Sequence, residues 1–511
     1  MNNQAKLTAL LALAFLLLSG CASVPLDLPK PESSAFVDTE NTALAQSSKR
    51  WRAPDATRSG FYPLLGGLDA FGARLALMDR AERSIDAKYF LMKPDSAGLV
   101  FAGKLLEAAN RGVRVRLLLD DIFTTVDDKA LIVLDMHPNI ELRIFNPISR
   151  QGFYFFNYLG FFDRVNRRMH NKSFTVDNQV SIVGGRNIAE EYFELKERQH
   201  FFDFDVLSAG PVVRKVSDAF DRYWNHRLAV PMEVLSGNIT EREAKALRQQ
   251  LNQKMQSQGE TVYAQAIDTS LMRDFYDSNL VPYLADARVV IDQPQKLLEE
   301  IAPDQQVVAT AVADAIRRAE EEVLIITPYF IPGTTAVELI RSAVKRGVQV
   351  TLVTNSLASN NHTVVHSAYS SYRKTMLEAG VQLWEARAYD AEAGDRGGSK
   401  KLTQVTLHTK LILIDRRYLF AGSLNLDPRS IEINTELGMM IESSTLSDYL
   451  ARLLLARVPE RAYRLKLDQN DKINWHATID SQQVIETREP QTSLWRRFKA
   501  WFLKITPEKQ L

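Results

Sequence analysis

Met169-His170-Asn171-Lys172-Ser173-Phe174-Thr175-Val176-Asp177 decides the fold, because its pattern returns as Leu407-His408-Thr409-Lys410-Leu411-Ile412-Leu413-Ile414-Asp415. Each copy is His-x-Lys-x4-Asp. Each runs on into a Gly-x-x-Asn: Gly184-Gly185-Arg186-Asn187 and Gly422-Ser423-Leu424-Asn425. Residues 169–176 and 407–414 read as strands. Side chains two apart on a strand share a face, so His170 emerges with Lys172 and His408 with Lys410. Asp177-Asn178-Gln179 and Asp415-Arg416-Arg417 read as turns, with return strands over 180–183 and 418–421.

Working outward, the duplication extends well beyond the motifs. Arg80-Ala81-Glu82 closes a helical pattern before a strand from Ile85 to Phe90, and Arg318-Ala319-Glu320 does the same before Val323 to Phe330. Arg111-Gly112-Val113-Arg114-Val115 returns as Arg346-Gly347-Val348-Gln349-Val350, and the copies are offset by 235–240 residues throughout. A helix over 99–109 feeds an apolar strand over 113–119, and 336–345 feeds 348–353 in the same way. Such unbroken apolar runs suit buried parallel strands. The expected fold class is α/β: two similar lobes, each a mixed β-sheet flanked by helices, joined as one pseudo-twofold bilobal unit. The expected boundaries are an export signal over 1–20, a tether over 21–60, a first lobe over 61–232, a helical inter-lobe insertion over 233–300, a second lobe over 301–470 and a tail over 471–511.

Composition limits what the molecule can bind. The chain has 511 residues, 45% of them hydrophobic and 24% charged, with a formal net charge of +1. A polyanion would need a local basic groove with stacking aromatics, so no nucleic-acid partner is expected. Cys21 is the only cysteine, which excludes an intrachain disulfide and the cysteine-based zinc patterns. Lys6 is the only charge before it, and Leu7 to Leu18 is too short an apolar run to span a bilayer. Leu18-Ser19-Gly20-Cys21 resembles the lipobox of bacterial lipoproteins, in which Cys21 would carry acyl chains, and Ala22 resembles an outer-membrane sorting cue. The expected location is a membrane-anchored bacterial lipoprotein facing the periplasm, with the outer membrane favoured over the inner. Residues 22–58, rich in Pro, Ser, Thr and Asp, read as an irregular tether.

A metal-free site for a phosphodiester needs a nucleophile, a proton donor for the leaving oxygen, and fixed positive charge around the equatorial oxygens. One histidine can attack and the other can protonate, while Lys172 and Lys410 supply the charge. Each half holds one histidine, so the halves must face each other across a shared cleft. Each imidazole needs an acidic partner on its other nitrogen. Asp203 and Asp205 share a face in Phe202-Asp203-Phe204-Asp205-Val206, and Glu436 lies in Asn434-Thr435-Glu436-Leu437. The expected pairing is Asp205 with His170 and Glu436 with His408. Asp177 and Asp415 are expected to brace the hairpins and lysines. Gly185 and Ser423 would allow close approach of a phosphate, to which Asn187 and Asn425 would donate.

These residues, with Asn166-Arg167-Arg168-Met169-His170-Asn171-Lys172-Ser173-Phe174, Thr354-Asn355-Ser356-Leu357-Ala358, Asn425-x-Asp427-Pro428-Arg429-Ser430 and Lys472-Ile473-Asn474-Trp475, resemble the phospholipase D superfamily. The similarity is to the bacterial cardiolipin synthase C type and runs from about residue 61 to the end. The resemblance implies phosphatidyl transfer to the free glycerol hydroxyl of phosphatidylglycerol. The donor would be phosphatidylethanolamine or a second phosphatidylglycerol, with His170 the nucleophile and His408 the acid. It implies no cofactor and leaves room for a small accessory membrane protein. Hydrolysis to phosphatidic acid is the main alternative, since it shares the covalent intermediate; a nuclease is a lesser one.

Three further features bear on a lipid substrate. The run 153–162, with Phe155, Phe156 and Phe161, reads as a flap dipping into acyl chains, with a buried core segment as the alternative. Leu494 to Ile505 carries Trp495, Phe498, Trp501 and Phe502 among Arg496, Arg497, Lys499 and Lys504. That suits an interfacial helix at an anionic surface, or a terminal helix docked on the body. His362 and His366 lie four apart, yet no metal is assigned. His366 and Arg373 are expected to line the head-group side of the cleft or simply to pack there.

Overall fold

The computed structural model describes residues 24–508 apart from 52, 54–56, 152–161, 197, 236–238, 278, 303–304, 391–402, 480 and 507. Cys21, Phe155, Phe156 and Phe161 lie outside the described residues.

The apolar runs form the centre of each half. The first half holds β1 (Ser59–Leu64), β2 (Ser84–Tyr89), β3 (Arg114–Asp120), β4 (Ile140–Phe145), β5 (Ser173–Val176), β6 (Val180–Gly184), β7 (Gln199–Phe202), β8 (Asp205–Ala209) and β9 (Ala229–Pro231). The second holds β10 (Tyr283–Ile291), β11 (Glu322–Ile326), β12 (Gln349–Asn355), β13 (Gln382–Ala386), β14 (Tyr389–Asp390), β15 (Thr403–Leu407), β16 (Leu411–Ile414), β17 (Tyr418–Gly422), β18 (Leu437–Glu442) and β19 (Ala462–Leu467), with β20 (Ile473–Ile479) and β21 (Gln482–Glu486) added at its edge. The spatial orders are β9-β4-β3-β2-β5-β6-β8-β1 and β19-β13-β12-β11-β16-β17-β18-β10, which correspond strand for strand. β1 and β10 pair antiparallel, with Gly60 opposite Leu284. The pseudo-twofold therefore passes between them, and 18 strands form one continuous sheet.

Within each half the motif hairpin, β5–β6 or β16–β17, is flanked by a parallel trio. Parallel neighbours require crossovers, which the helices Ser96–Asn110 and Gly333–Lys345 supply. β3 shows why its residues are apolar on both faces. Val115, Leu117 and Leu119 pack with Phe71 and Leu105 of the helices on one side. Leu118 packs with Val216, Phe220 and Trp224 on the other. Each such side chain contributes about 1.5–3 kcal/mol relative to exposure.

Two expectations are corrected. The insertion is helical only over Glu241–Lys254, Glu260–Ile267 and Ser270–Tyr276. These helices lie against the first half; a Cβ on Gly72 would meet the Ala266 carbonyl at 2.2 Å. Residues 283–291 are strand β10, so the second half begins there and not at 301. The polar Asp286 and Arg288 disguised a period-two pattern in an edge-to-edge joint. The presumed tether is in fact a strap over the first half. Arg143 donates to the Pro31 carbonyl at 2.6 Å. Arg116 donates to the Ser33 carbonyl at 2.9 Å, and Trp224 to Ser33 Oγ at 2.9 Å. Buried guanidiniums carry five donors, more than the nearby carboxylates accept, and the strap's carbonyls take the remainder. Leu44 and Trp51 then enter the core. Among the described residues no helix is long and apolar enough to cross a membrane.

Candidate active site

Two short main-chain exchanges bring the motifs together. Met169 forms a parallel bridge with Thr435, and His170 N donates to the Thr435 carbonyl at 3.0 Å. In the other direction β15 runs parallel to β7, and His408 N donates to the Phe202 carbonyl at 2.8 Å. Each histidine thus sits where its segment touches the opposite half. His170, Lys172, His408 and Lys410 are all buried.

The acidic partners are crossed between halves. His170 Nδ1 lies 3.0 Å from both carboxylate oxygens of Glu436. His408 Nδ1 lies 2.6 Å from Asp203 Oδ2. The expected pairing of Asp205 with His170 and of Glu436 with His408 is therefore overturned. Asp205 lies inside β8, where Arg74 reaches its Oδ2 at 2.9 Å and the Arg186 main-chain N–H its Oδ1 at 3.2 Å. Its charge is consumed within the first half. Asp203 precedes that strand, beside the exchange that carries His408.

Other expected roles change as well. Gly185 makes room for an acid: a Cβ there would lie 2.2 Å from Asp203 Oδ1. Ser423 Oγ donates to Glu436 Oε2 and accepts from Leu437 N at 3.0 Å, so it fixes the carboxylate. Asp177 takes main-chain N–H groups of Glu82, Arg83 and Ser84, and Asp415 those of Glu320, Glu321 and Glu322. Both adopt positive φ, 52° and 51°, at the hairpin turns. They brace the hairpins but not the lysines, which lie about 17 Å away along extended chain. Arg373 pairs with Glu385 and with Glu489, each at 2.6 Å, and contacts His366 Nε2 at 2.9 Å. That buried cluster clamps the C-terminal segment, so these two residues do not line the cleft.

Asn187 and Asn425 are both buried beside the motifs. Their Oδ1 atoms are buried with no partner. Asn187 Nδ2 meets the Tyr192 hydroxyl at 3.0 Å. That hydroxyl can donate as readily as accept, so the amide can turn and offer its NH2 to a phosphate oxygen. Sequence reasoning missed the rings around the imidazoles. Phe90 meets His170 edge-on at 4.9 Å. Tyr192 and Phe201 flank His408 at 5.1 and 5.5 Å. Phe90 was visible as the end of a buried strand; Tyr192 and Phe201 gave no local signal.

The electrostatics follow from this burial. Burial, then Lys172 and Lys410, holds the His170 imidazole well below its usual range. Burial and Lys410 hold His408 down to about 3. Burial lowers Lys172 well below its usual range and Lys410 to about 8. The two acids diverge. Burial raises Glu436 to about 7 against the pull of Lys172. Burial would raise Asp203 too, but Lys410, His408 and Arg186 outweigh it and hold that carboxyl below the usual carboxylate range. An anion at this point would relieve both lysines and favour an imidazolium on His408 over His170. Among the described residues, no group of three or more His, Cys, Asp or Glu could hold a metal ion.

The family described as cardiolipin synthase, PLD-like domain, matches twice, over residues 75–224 and 312–456. Cardiolipin synthase C of Escherichia coli K12 is 38% identical over 457 residues, covering 88% of this chain and 96% of that protein. Cardiolipin synthase A of Pseudomonas syringae is 27% identical, over 81% of this chain and 71% of that protein. The crystal structure of a phosphatidylserine synthase from Haemophilus influenzae Rd KW20 shares the fold, with a TM-score of 0.57 at 14% identity, covering 92% of this chain and 100% of that one. A duplicated sheet, a matched motif in each copy and these similarities place the chain in the cardiolipin synthase family of PLD-like enzymes.

Proposed function

We propose that this enzyme forms cardiolipin by phosphatidyl transfer to phosphatidylglycerol through a covalent phosphatidyl-histidine. The crossed pairing of His170 with Glu436 and His408 with Asp203 carries the reading, because it requires both halves to serve one site. Glu436 accepts from Nδ1 of His170 and leaves Nε2 as the attacking lone pair. Attack forms a P–N bond and breaks the bond to the donor's head-group alcohol. His408 supplies the proton to that oxygen, and Asp203 stabilises the imidazolium it starts from. Lys172, Lys410 and the two asparagine amides hold the equatorial oxygens. In the second step the free glycerol hydroxyl of phosphatidylglycerol attacks phosphorus, His408 takes its proton, and the P–N bond breaks. Acylation at Cys21, facing the periplasm, would keep the enzyme at its substrate; the outer membrane is the favoured site.

The test supplies the purified chain with phosphatidylglycerol, with and without phosphatidylethanolamine, and reads products by mass. Cardiolipin with released glycerol or ethanolamine is expected. Phosphatidic acid alone would make the enzyme a hydrolase and overturn the reading.

The pH profile follows from the lysines. Each works protonated, and Lys410 in the free protein titrates at about 8. As pH rises through that value the free enzyme loses one charge that holds the diester, so affinity for the diester should fall on an alkaline limb near pH 8. Bound phosphodiester stabilises the ammonium form, so the limb in kcat should lie at higher pH. Coincident limbs in both parameters would contradict this.

A further inference from the structure

Helix Leu494–Phe502 turns its apolar face away from the body. Trp495 is 71% exposed and Trp501 66%, and Leu494, Phe498, Phe502 and Ile505 are exposed beside them. The body side is Ala500, whose carbonyl accepts from Ser367 Oγ at 2.6 Å, and Arg496, which donates to the Asn360 carbonyl at 2.6 Å. The chain entering the helix is held by Glu489 on Arg373 and by Gln491 Oε1, which accepts from Ala388 N at 2.9 Å. A clamped helix with outward aromatics, Arg497, Lys499 and Lys504, and no acid is built to rest in an anionic bilayer surface.

Beside that clamp opens an apolar cavity of about 110 Å³, walled by Ile326, Val353, Val405, Leu454 and Val458. Arg387, Arg457 and Arg461 stand among its lining, with Glu460 the one acid among the described residues. Arg387 Nε is buried with no partner. The mouth adjoins the helix: Ala388 bonds Gln491, and Tyr389 acts electrostatically on Arg496. Phe202 and Leu407 also face the cavity. They directly precede Asp203 and His408, and alternation along extended chain points them to the opposite side from those groups. A molecule in the cavity would press on the back of the β7–β15 exchange without reaching the reacting phosphorus.

We propose that this cavity takes one acyl chain of an anionic phospholipid drawn from the bilayer under helix 494–502, with the lipid phosphate on the three arginines. The occupant is a bystander lipid, separate from the pair under reaction. It fills the space behind Leu407 and Phe202 and steadies the contact that aligns His408 with Asp203. The inference rests on the phospholipid reading above only in its choice of surface.

The full chain is reconstituted in vesicles of phosphatidylglycerol or of phosphatidylcholine, each doped with the same lipid bearing a diazirine at the acyl end, and labelled peptides are mapped by mass. In phosphatidylglycerol, label is expected in 403–407 and 454–462 as well as in 494–505. Leu454→Trp should fill the cavity and bring its label to background while helix label persists. Arg457→Gln, at an exposed position, should abolish the preference for phosphatidylglycerol. His170→Ala should label as the unmodified chain does, so a failure of the transfer reading leaves this result standing. Label confined to the helix, or cavity label equal in both lipids and unchanged by Leu454→Trp and Arg457→Gln, would overturn the proposal.

Discussion

His170→Ala is expected to lower phosphatidyl transfer by about 10⁴–10⁶-fold and to leave no covalent intermediate. The side chain makes the bond to phosphorus, and the other positive groups can only hold the substrate. The loss should fall on turnover, with substrate binding changed far less, because Lys172, Lys410 and the asparagine amides remain. A structural cause is separable. Removing the ring leaves Glu436 without its imidazole donor, with Ser423 Oγ still bonded to it, at a cost of about 1–3 kcal/mol. His170→Asn keeps a donor for that carboxylate and should recover much of the stability while staying inactive. Thermal unfolding and single-turnover assays on the two variants measure the two effects apart. Transfer by either variant within tenfold of the unmodified chain would remove His170 as nucleophile.

His408→Ala is expected to slow transfer by about 10²–10⁴-fold, the usual contribution of a positioned acid. Its signature is dependence on the leaving group. With a phosphodiester whose alcohol departs readily as an anion, the first step needs no proton and should be largely restored. The second step still lacks a base, so the phosphatidyl-enzyme should accumulate. His170→Ala should show no such rescue. Burst kinetics with an activated chromogenic diester read this directly. Equal losses for good and poor leaving groups would contradict the assignment of His408.

The fold was legible where a residue pattern is local. The repeated strand–helix–strand runs at Val113–Leu119 and Val348–Val353 announce buried parallel strands, and the two motifs align the copies. What stayed hidden depends on contacts between distant segments. Tyr283–Ile291 carries charges at alternate positions because it joins two sheets at their edges, so it resembled the polar helices before it. Pro31 and Ser33 look like linker until Arg116 and Arg143 are known to need acceptors. The crossed acids follow the same logic. Duplication aligns Asp203 with Glu436 through the pairings of Gly184 with Asp205 and Gly422 with Gly438, which already favours Asp203 over Asp205. No pattern within one half reveals that each carboxylate serves the other half's histidine. His366 and Arg373 show the converse: suitable residue types at suitable spacing that pack with Glu385 and Glu489 instead.

The most direct measurement of the shared-cleft mechanism is the mass of His408→Ala after mixing with a phosphatidyl diester of a readily departing alcohol and acid-free quenching. One phosphatidyl group on the peptide bearing His170, absent from His170→Ala, is the expected result. An unmodified protein that still releases the activated alcohol, or an adduct on any residue other than His170, would contradict it.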